Sequence, residues 1–226
     1  MRAVVIGNAD DLDPGFVGHR LRQHGFVFTE GHREDPAGWP GLDGVDLVVQ
    51  LGSEWNVYRS ETAGPVEAEA AFVRDVVGRR TPLLAICFGA QVLSHALGGS
   101  VTRTAAPEIG WVELPEDRVT DGAIARGPWM EWHDDVFTAP EGFDVLAAND
   151  VGPQLIRGGR TVATQFHPEA TETMVRRWLG EGGADQVLAR GGDPDALLAL
   201  TRANVAVSRP AADALVDWFL DVVAGS

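Results

Sequence analysis

The chain is 226 residues long, 45% hydrophobic, with 33 acidic against 18 basic side chains and a formal net charge of −15. Such a length buries one large core, so a single domain over 1–226 is expected, with a core at 1–180 and a helical C-terminal extension at 181–226. Every basic residue is an arginine and none form a basic stripe, and no apolar run approaches the ~20 residues of a membrane span, so neither nucleic acid nor a membrane is an expected partner. One cysteine excludes an internal disulfide and fits a reducing compartment. The chain opens directly on a strand-like RAVVIG without a basic and apolar leader, so a soluble cytoplasmic protein is expected.

Residues 2–7 read as a short apolar strand and 8–13 as a polar loop. Pro14 opens a helix to His24 that Gly25 ends. A second strand is predicted at 26–29, and 31–44, rich in Gly, Pro and charge, reads as loop. Residues 45–50 make a third strand, apolar except at its ends, as parallel strands covered on both faces are. A helix at 65–79 precedes a buried run, Leu83 to Ile86, and a second helix from Phe88 to a Gly98-Gly99 stop. Beyond it the pattern turns antiparallel, with short strands at 108–114, 135–138, 144–148, 154–157 and 161–166. The tail reads as helices at 170–179, 184–190, 194–205 and 210–223. Trp178, Leu188, Leu197, Leu198, Leu200, Leu215, Trp218 and Phe219 give these helices apolar faces that are expected to pack on the sheet. Strands alternating with helices predict an α/β fold: an open, mostly parallel sheet flanked by helices, with an added antiparallel portion. In such sheets chemistry collects at the carboxyl ends of the strands.

Cys87 stands at such an end, between a strand and a helix, with Ala85 two residues before it and Gly89 two after. Strand, sharp turn and helix make the geometry of a nucleophile elbow. The helix N-terminus favours the thiolate, which is the nucleophilic form. Taken alone, the cysteine reads more readily as a small buried hydrophobe. A second stretch, TVATQFHPE from Thr161, shifts the balance: Pro168 ends a strand with His167 and Glu169 beside its carboxyl end. A thiol needs a base, and the base needs a group to fix its ring; His167 and Glu169 fill those roles if this end lies beside Cys87.

The two stretches, A-I-C-F-G-A-Q and F-H-P-E, resemble the class I glutamine amidotransferases, whose triad is a Cys in G-x-C-x-G-x-Q and a His and Glu in H-P-E. The likeness covers most of residues 1–180 and is nearest to the stand-alone, GMP-synthase-like domains, which also carry Glu-Ile-Gly-Trp and a helical extension. It implies a flavodoxin-like fold and a Cys87-His167-Glu169 triad. It implies an oxyanion hole from the N–H groups of Gly52 and Phe88, and Gln91 as a hydrogen-bonding contact to substrate. Trp132, His133 and Asp134 occupy the place of the family's His-Gly-Asp segment, whose backbone helps hold the α-amino and α-carboxylate groups of glutamine. Three departures stand out: Ala85 for a glycine, Leu51 for the first glycine of a Gly-Gly pair, and Asp134 for the central glycine of His-Gly-Asp. The last is expected to reshape the pocket around the amino-acid head group. His133 is the rival base, but no His-x-Glu partner follows it, and it reads as a structural histidine among Trp129 and Trp132.

The leading reading is hydrolysis of the glutamine side-chain amide through a γ-glutamyl thioester, with ammonia passed to a separate synthetase subunit. Neither an S-G-G-x-D-S-type ATP loop nor G-x-x-x-x-G-K-[ST] occurs. The alternative is a hydrolase of γ-glutamyl amides or isopeptides acting on its own, suggested by Asp134 and by Glu54-Trp55 near the mouth. A third reading is a non-catalytic regulatory or binding subunit that kept the fold. No cofactor is called for. No metal is expected either, because the six histidines are scattered and no H-x-x-x-H or H-E-x-x-H occurs.

Overall fold

Short runs that are apolar on both faces build the centre of the molecule, because only a strand covered by helices on each side can bury every side chain. The computed structural model describes residues 1–121 and 124–225. In chain order the main elements are β1 (Arg2–Gly7), α1 (Gly15–Gln23), β2 (Val27–His32), β3 (Leu47–Gln50), α2 (Ala63–Gly78), β4 (Leu83–Ile86), α3 (Phe88–Ala96) and β5 (Val101–Val112). There follow β6 (Trp129–Phe137), β7 (Asp144–Ala148), β8 (Pro153–Gly158), β9 (Thr161–Thr164), α4 (Glu172–Trp178), α5 (Ala184–Ala189) and α6 (Pro194–Trp218).

The main sheet has seven strands in the order β2-β1-β3-β4-β9-β8-β7. The pairs from β2 through β9 are parallel, and β8 and β7 add an antiparallel edge. Alternation along the strands sends Ala3, Val5, Val49 and Leu84 to one core with Val17, Leu21 and Leu215 from α1 and α6. Val4, Ile6, Val48 and Leu83 go to the other core, with Val66, Val73 and Val92 from α2 and α3. Strands β5 and β6 form a separate antiparallel ribbon.

Several elements differ from the sequence reading, each for a local reason. The ribbon strands are longer than expected, since Pro107 disguises β5; the register shift between Arg103 and Glu108 accommodates it. Strand β2 runs on to His32, into what reads as loop. The two helices expected at 194–205 and 210–223 are one helix, α6, with Pro210 inside it. Asp193 caps its start by accepting from the N–H groups of Asp195 and Ala196, and Leu197, Thr201, Ser208, Ala212 and Leu215 form one buried face across the proline. Packing along that face outweighs the hydrogen bond that Pro210 removes. Leu188 and Leu200, expected on the apolar face, are exposed. Among the described residues no helix is long and apolar enough to cross a membrane.

Candidate active site

Strand β4 is buried throughout and Ile86 still pairs with Thr164 of β9. The Cys87 N–H then donates to the Thr164 carbonyl at 2.7 Å, so the cysteine remains fastened to the ladder. Its backbone turns to φ +50°, ψ −105°, a conformation rarely held by a residue with a side chain, and α3 begins at Phe88. The turn demands close approach of helix and strand. A Cβ on Gly89 would lie 2.7 Å from Gln50 Cβ and 2.9 Å from the Gln50 carbonyl oxygen, which is why glycine stands there. Ala85, buried against β3, leaves this elbow intact.

The second half comes from beyond β9, which ends at Thr164 rather than at residue 166. Gln165 N–H turns to the Gln154 carbonyl at 2.9 Å and His167 N–H to the Met130 carbonyl at 2.8 Å, handing the chain from the sheet to β6. His167 Nδ1 donates to Glu169 Oε1 at 2.6 Å, with both side chains buried. The buried Nε2 is left without a hydrogen-bond partner among the described residues, on a ring that feels the Cys87 sulfur electrostatically. Burial pushes the imidazole towards its neutral form, but Glu169 and the Cys87 sulfur outweigh it and hold the His167 pKa well above its ordinary value. The Cys87 thiol also has Gln165 Nε2 at 3.6 Å and the Trp132 carbonyl at 3.8 Å. Gly52 sits against both partners: a Cβ there would lie 2.9 Å from His167 Cε1 and 3.7 Å from Cys87 Cβ.

Cys87, His167, Glu169, Gly52, Gln91, Trp132, His133 and Asp134 all line one cleft of about 300 Å3. Phe88 is fully buried behind the elbow. Gln91 Nε2 donates to the Asp135 carbonyl at 3.3 Å, so its amide is tied to β6. Asp135 itself is buried and accepts from Asn56 and, at 2.7 Å, from the Tyr58 hydroxyl.

His133, with no His-x-Glu partner after it, meets carboxylates from the facing strand and from earlier in its own. Glu108 lies directly across the ribbon from it, and Glu131 is two residues back on the same face of β6. Their carboxylate oxygens stand 3.1 and 3.3 Å from Nε2, while Nδ1 faces the Asp135 carbonyl at 3.1 Å. Burial opposes the charge, yet the two carboxylates raise the His133 pKa to about 10, so the ring is an imidazolium between two acids. Burial holds the Glu131 carboxyl above its usual range. Glu108, although burial pulls it upward, is held below its usual range by His133, Asn149 and Gln154. Ligand atoms of Glu108, Glu131 and His133 lie within 4.8 Å of one another, close enough to hold a metal ion. The Glu108 oxygens already accept from the Asn149 and Gln154 amides, however, and the imidazolium supplies the counter-charge. The three side chains form a buried ion triad in which the Glu131 oxygens face His133 as an ion pair without a hydrogen-bond partner.

Asp134, one residue on and therefore on the opposite face of β6, pairs with Arg103 of β5 at 3.0 Å and with Arg190 beyond α5. This clamp ties the ribbon to the C-terminal helices at the rim. Several cleft residues escape a sequence reading. Trp178, expected to pack on the sheet, lies 5.0 Å from the His167 ring and donates to Asp11 at 2.8 Å. Gln186 of α5 accepts from Trp132 Nε1 at 3.0 Å, and Asn56, Arg59 and Arg103 complete the walls. Isolated polar residues in loops and short helices carry no motif that marks them.

The family model of Glutamine amidotransferase class-I matches residues 57–179. The GMP synthase [glutamine-hydrolyzing] of Aquifex aeolicus is 39% identical over 182 residues, covering 76% of this chain and 34% of that protein. The protein of the same name from Bdellovibrio bacteriovorus is 32% identical over 176 residues, covering 76% and 33%. The chain thus spans about a third of the length of these curated relatives. A glutamine amidotransferase from Thermotoga maritima superposes with a TM-score of 0.84 over 98% of each chain at 24% identity, a likeness of fold. With the matched segment running through the elbow and the His-x-Glu pair, the chain belongs to the class I glutamine amidotransferases.

Proposed function

We propose that the protein hydrolyses the side-chain amide of glutamine, with Cys87 as nucleophile, His167 as base and acid, and Glu169 as the group that fixes the imidazole. The observation that carries this reading is the convergence of three separate segments. A cysteine at φ +50° and a histidine held at 2.6 Å by a carboxylate both border the same glycine, Gly52. The thiolate adds to the amide carbon, and the oxygen takes up the negative charge, facing the N–H groups of Gly52 and Phe88. The C–N bond breaks as His167 gives its proton to nitrogen, releasing ammonia and leaving the γ-glutamyl thioester. Water, deprotonated by His167, then cleaves the thioester to glutamate and restores the thiol. The GMP synthase relatives are glutamine-hydrolyzing by name, which supports this substrate. Ammonia passes in this reading to an acceptor enzyme on a separate synthetase subunit.

A second reading, hydrolysis of a γ-glutamyl amide or isopeptide, draws on the mouth of the cleft. Exposed Asp10, Asp13 and Glu54 and the half-buried Trp55 line it, a surface suited to a leaving amine larger than ammonia. Ammonia and glutamate release by the purified protein, with Cys87→Ala as control and a panel of γ-glutamyl amides beside glutamine, decides between them. Turnover of glutamine above the panel supports the first; turnover of the amides alone supports the second. Undiminished turnover in Cys87→Ala refutes both.

A further inference from the structure

Arg33 follows β2 and its side chain is fully buried, although a guanidinium leaves water at great cost unless every donor is met. Here all of its N–H groups are used. Nε and Nη2 hold Glu69 of α2 as a bidentate pair at 2.7 and 3.1 Å, and Nη1 donates to Asn8 Oδ1 at 2.7 Å. The two remaining donors reach the backbone: Nη2 to the Leu51 carbonyl at 3.0 Å and Nη1 to the Gly52 carbonyl at 3.1 Å. The guanidinium also lies 4.8 Å from the centroid of the Phe88 ring. Gln50 Nε2 donates to Glu69 Oε1 at 3.0 Å and so braces the acceptor.

These contacts have a directional consequence. In a trans peptide the C=O and N–H of one plane point in opposite directions. Drawing the Leu51 oxygen inward therefore turns the Gly52 N–H of the same plane outward, towards the cleft. One side chain thus touches both segments that carry the proposed oxyanion donors: the Leu51-Gly52 turn through its carbonyls and Phe88 through its ring. We propose that Arg33, locked by Glu69, is a positioning residue that aims these N–H groups at the developing oxyanion. The inference rests on the amide-hydrolysing reading above. Arg33 itself touches no reacting atom.

The test is Arg33→Lys, which keeps the charge but loses the planar fork that reaches both carbonyls. Its readouts are kcat and KM for glutamine, the melting profile, and alkylation of Cys87 by two reagents. One is the chloroketone analogue of glutamine, whose ketone oxygen takes the place of the amide oxygen. The other is iodoacetamide, whose displacement step forms no oxyanion. The expected result is a fall of about 100-fold in kcat, with KM and iodoacetamide alkylation within about threefold of wild type and a cooperative melt retained. Chloroketone inactivation is expected to slow by about tenfold or more. An unchanged kcat overturns the proposal, as does an equal loss in both alkylation rates, which marks a role in the fold alone. Should Arg33→Lys not fold, Glu69→Gln replaces it, with the same split expected at about three- to tenfold. Wild-type protein that turns over no glutamine or γ-glutamyl amide, yet reacts with the chloroketone at Cys87, fails the functional reading alone. The ratio of the two alkylation rates then decides for Arg33. No turnover and no chloroketone adduct overturns both.

Discussion

Replacing Gly52 by alanine tests the geometry at its tightest point. The added Cβ would come 2.9 Å from His167 Cε1, while its 3.7 Å approach to Cys87 Cβ is an ordinary contact. Carbon atoms in contact sit about 3.5–4.0 Å apart, so the ring and the turn must separate by roughly 0.6 Å or more. Neither moves freely. The imidazole is tied to Glu169 at 2.6 Å and lies 5.0 Å from the Trp178 ring, and the turn is held through the Leu51 and Gly52 carbonyls. Backbone strain adds nothing, since Gly52 does not occupy the left-handed region. The fold should survive with about 1–3 kcal/mol of overpacking. Displacing the base or the oxyanion donor by this much is expected to lower kcat about 100-fold, or roughly 2.7 kcal/mol of barrier. The assay is glutamate release at saturating glutamine beside a urea melt. A folded Gly52→Ala protein with kcat within threefold of wild type would show that the reacting carbonyl does not pass Gly52.

Three further outcomes are expected. His167→Ala should abolish turnover, whereas Glu169→Gln, which keeps a hydrogen-bond acceptor at Nδ1, should cost less, about 100-fold in kcat; an equal loss in both would contradict the orienting role. Phe166→Ala removes a fully buried ring stacked on Trp129 at a centroid distance of 4.6 Å and should cost about 3–5 kcal/mol in a urea titration, with a loss below about 1 kcal/mol counting against the packing described. Because the folded His133 pKa is about 10 against 6.5 unfolded, its share of stability is complete below about pH 6.5 and disappears as pH rises through about 10. The raised His167 and Glu131 act with the same sign. Urea midpoints should therefore fall between pH 7 and 10, and less steeply in His133→Gln; identical slopes would remove His133 from that role.

The chemistry was more legible in the sequence than the walls around it. The cysteine elbow, the His-x-Glu pair and the parallel strands all announce themselves locally, through a run of apolar residues, a helix start and a proline stop. Their placement side by side follows from the parallel sheet. What escaped depends on contacts between distant segments. Glu108 holds His133 only because β5 and β6 pair across 25 residues, a register that Pro107 hides. Arg33 sits in a polar stretch that reads as loop, and its burial depends on Glu69 of a helix 36 residues on. Pro210 suggests a break that the buried face of α6 overrides. Asp134 stands out in the sequence, but its partners, Arg103 and Arg190, lie 31 and 56 residues away.

Cys87 and Phe88 are neighbours in the chain, yet they pack into the two different cores on opposite faces of the sheet. The turn between them is thus gripped from both sides, while Asp134, Arg103 and Arg190 hold the rim through partly exposed ion pairs. The molecule divides its labour accordingly. On the proposed amide-hydrolysing reading, substitutions at the rim are free to alter which amine or head group is admitted without disturbing Cys87, whereas change at the elbow must be absorbed by two cores at once. On that reading, the rim and the elbow answer to separate constraints, one set by partly exposed ion pairs and the other by two packed cores.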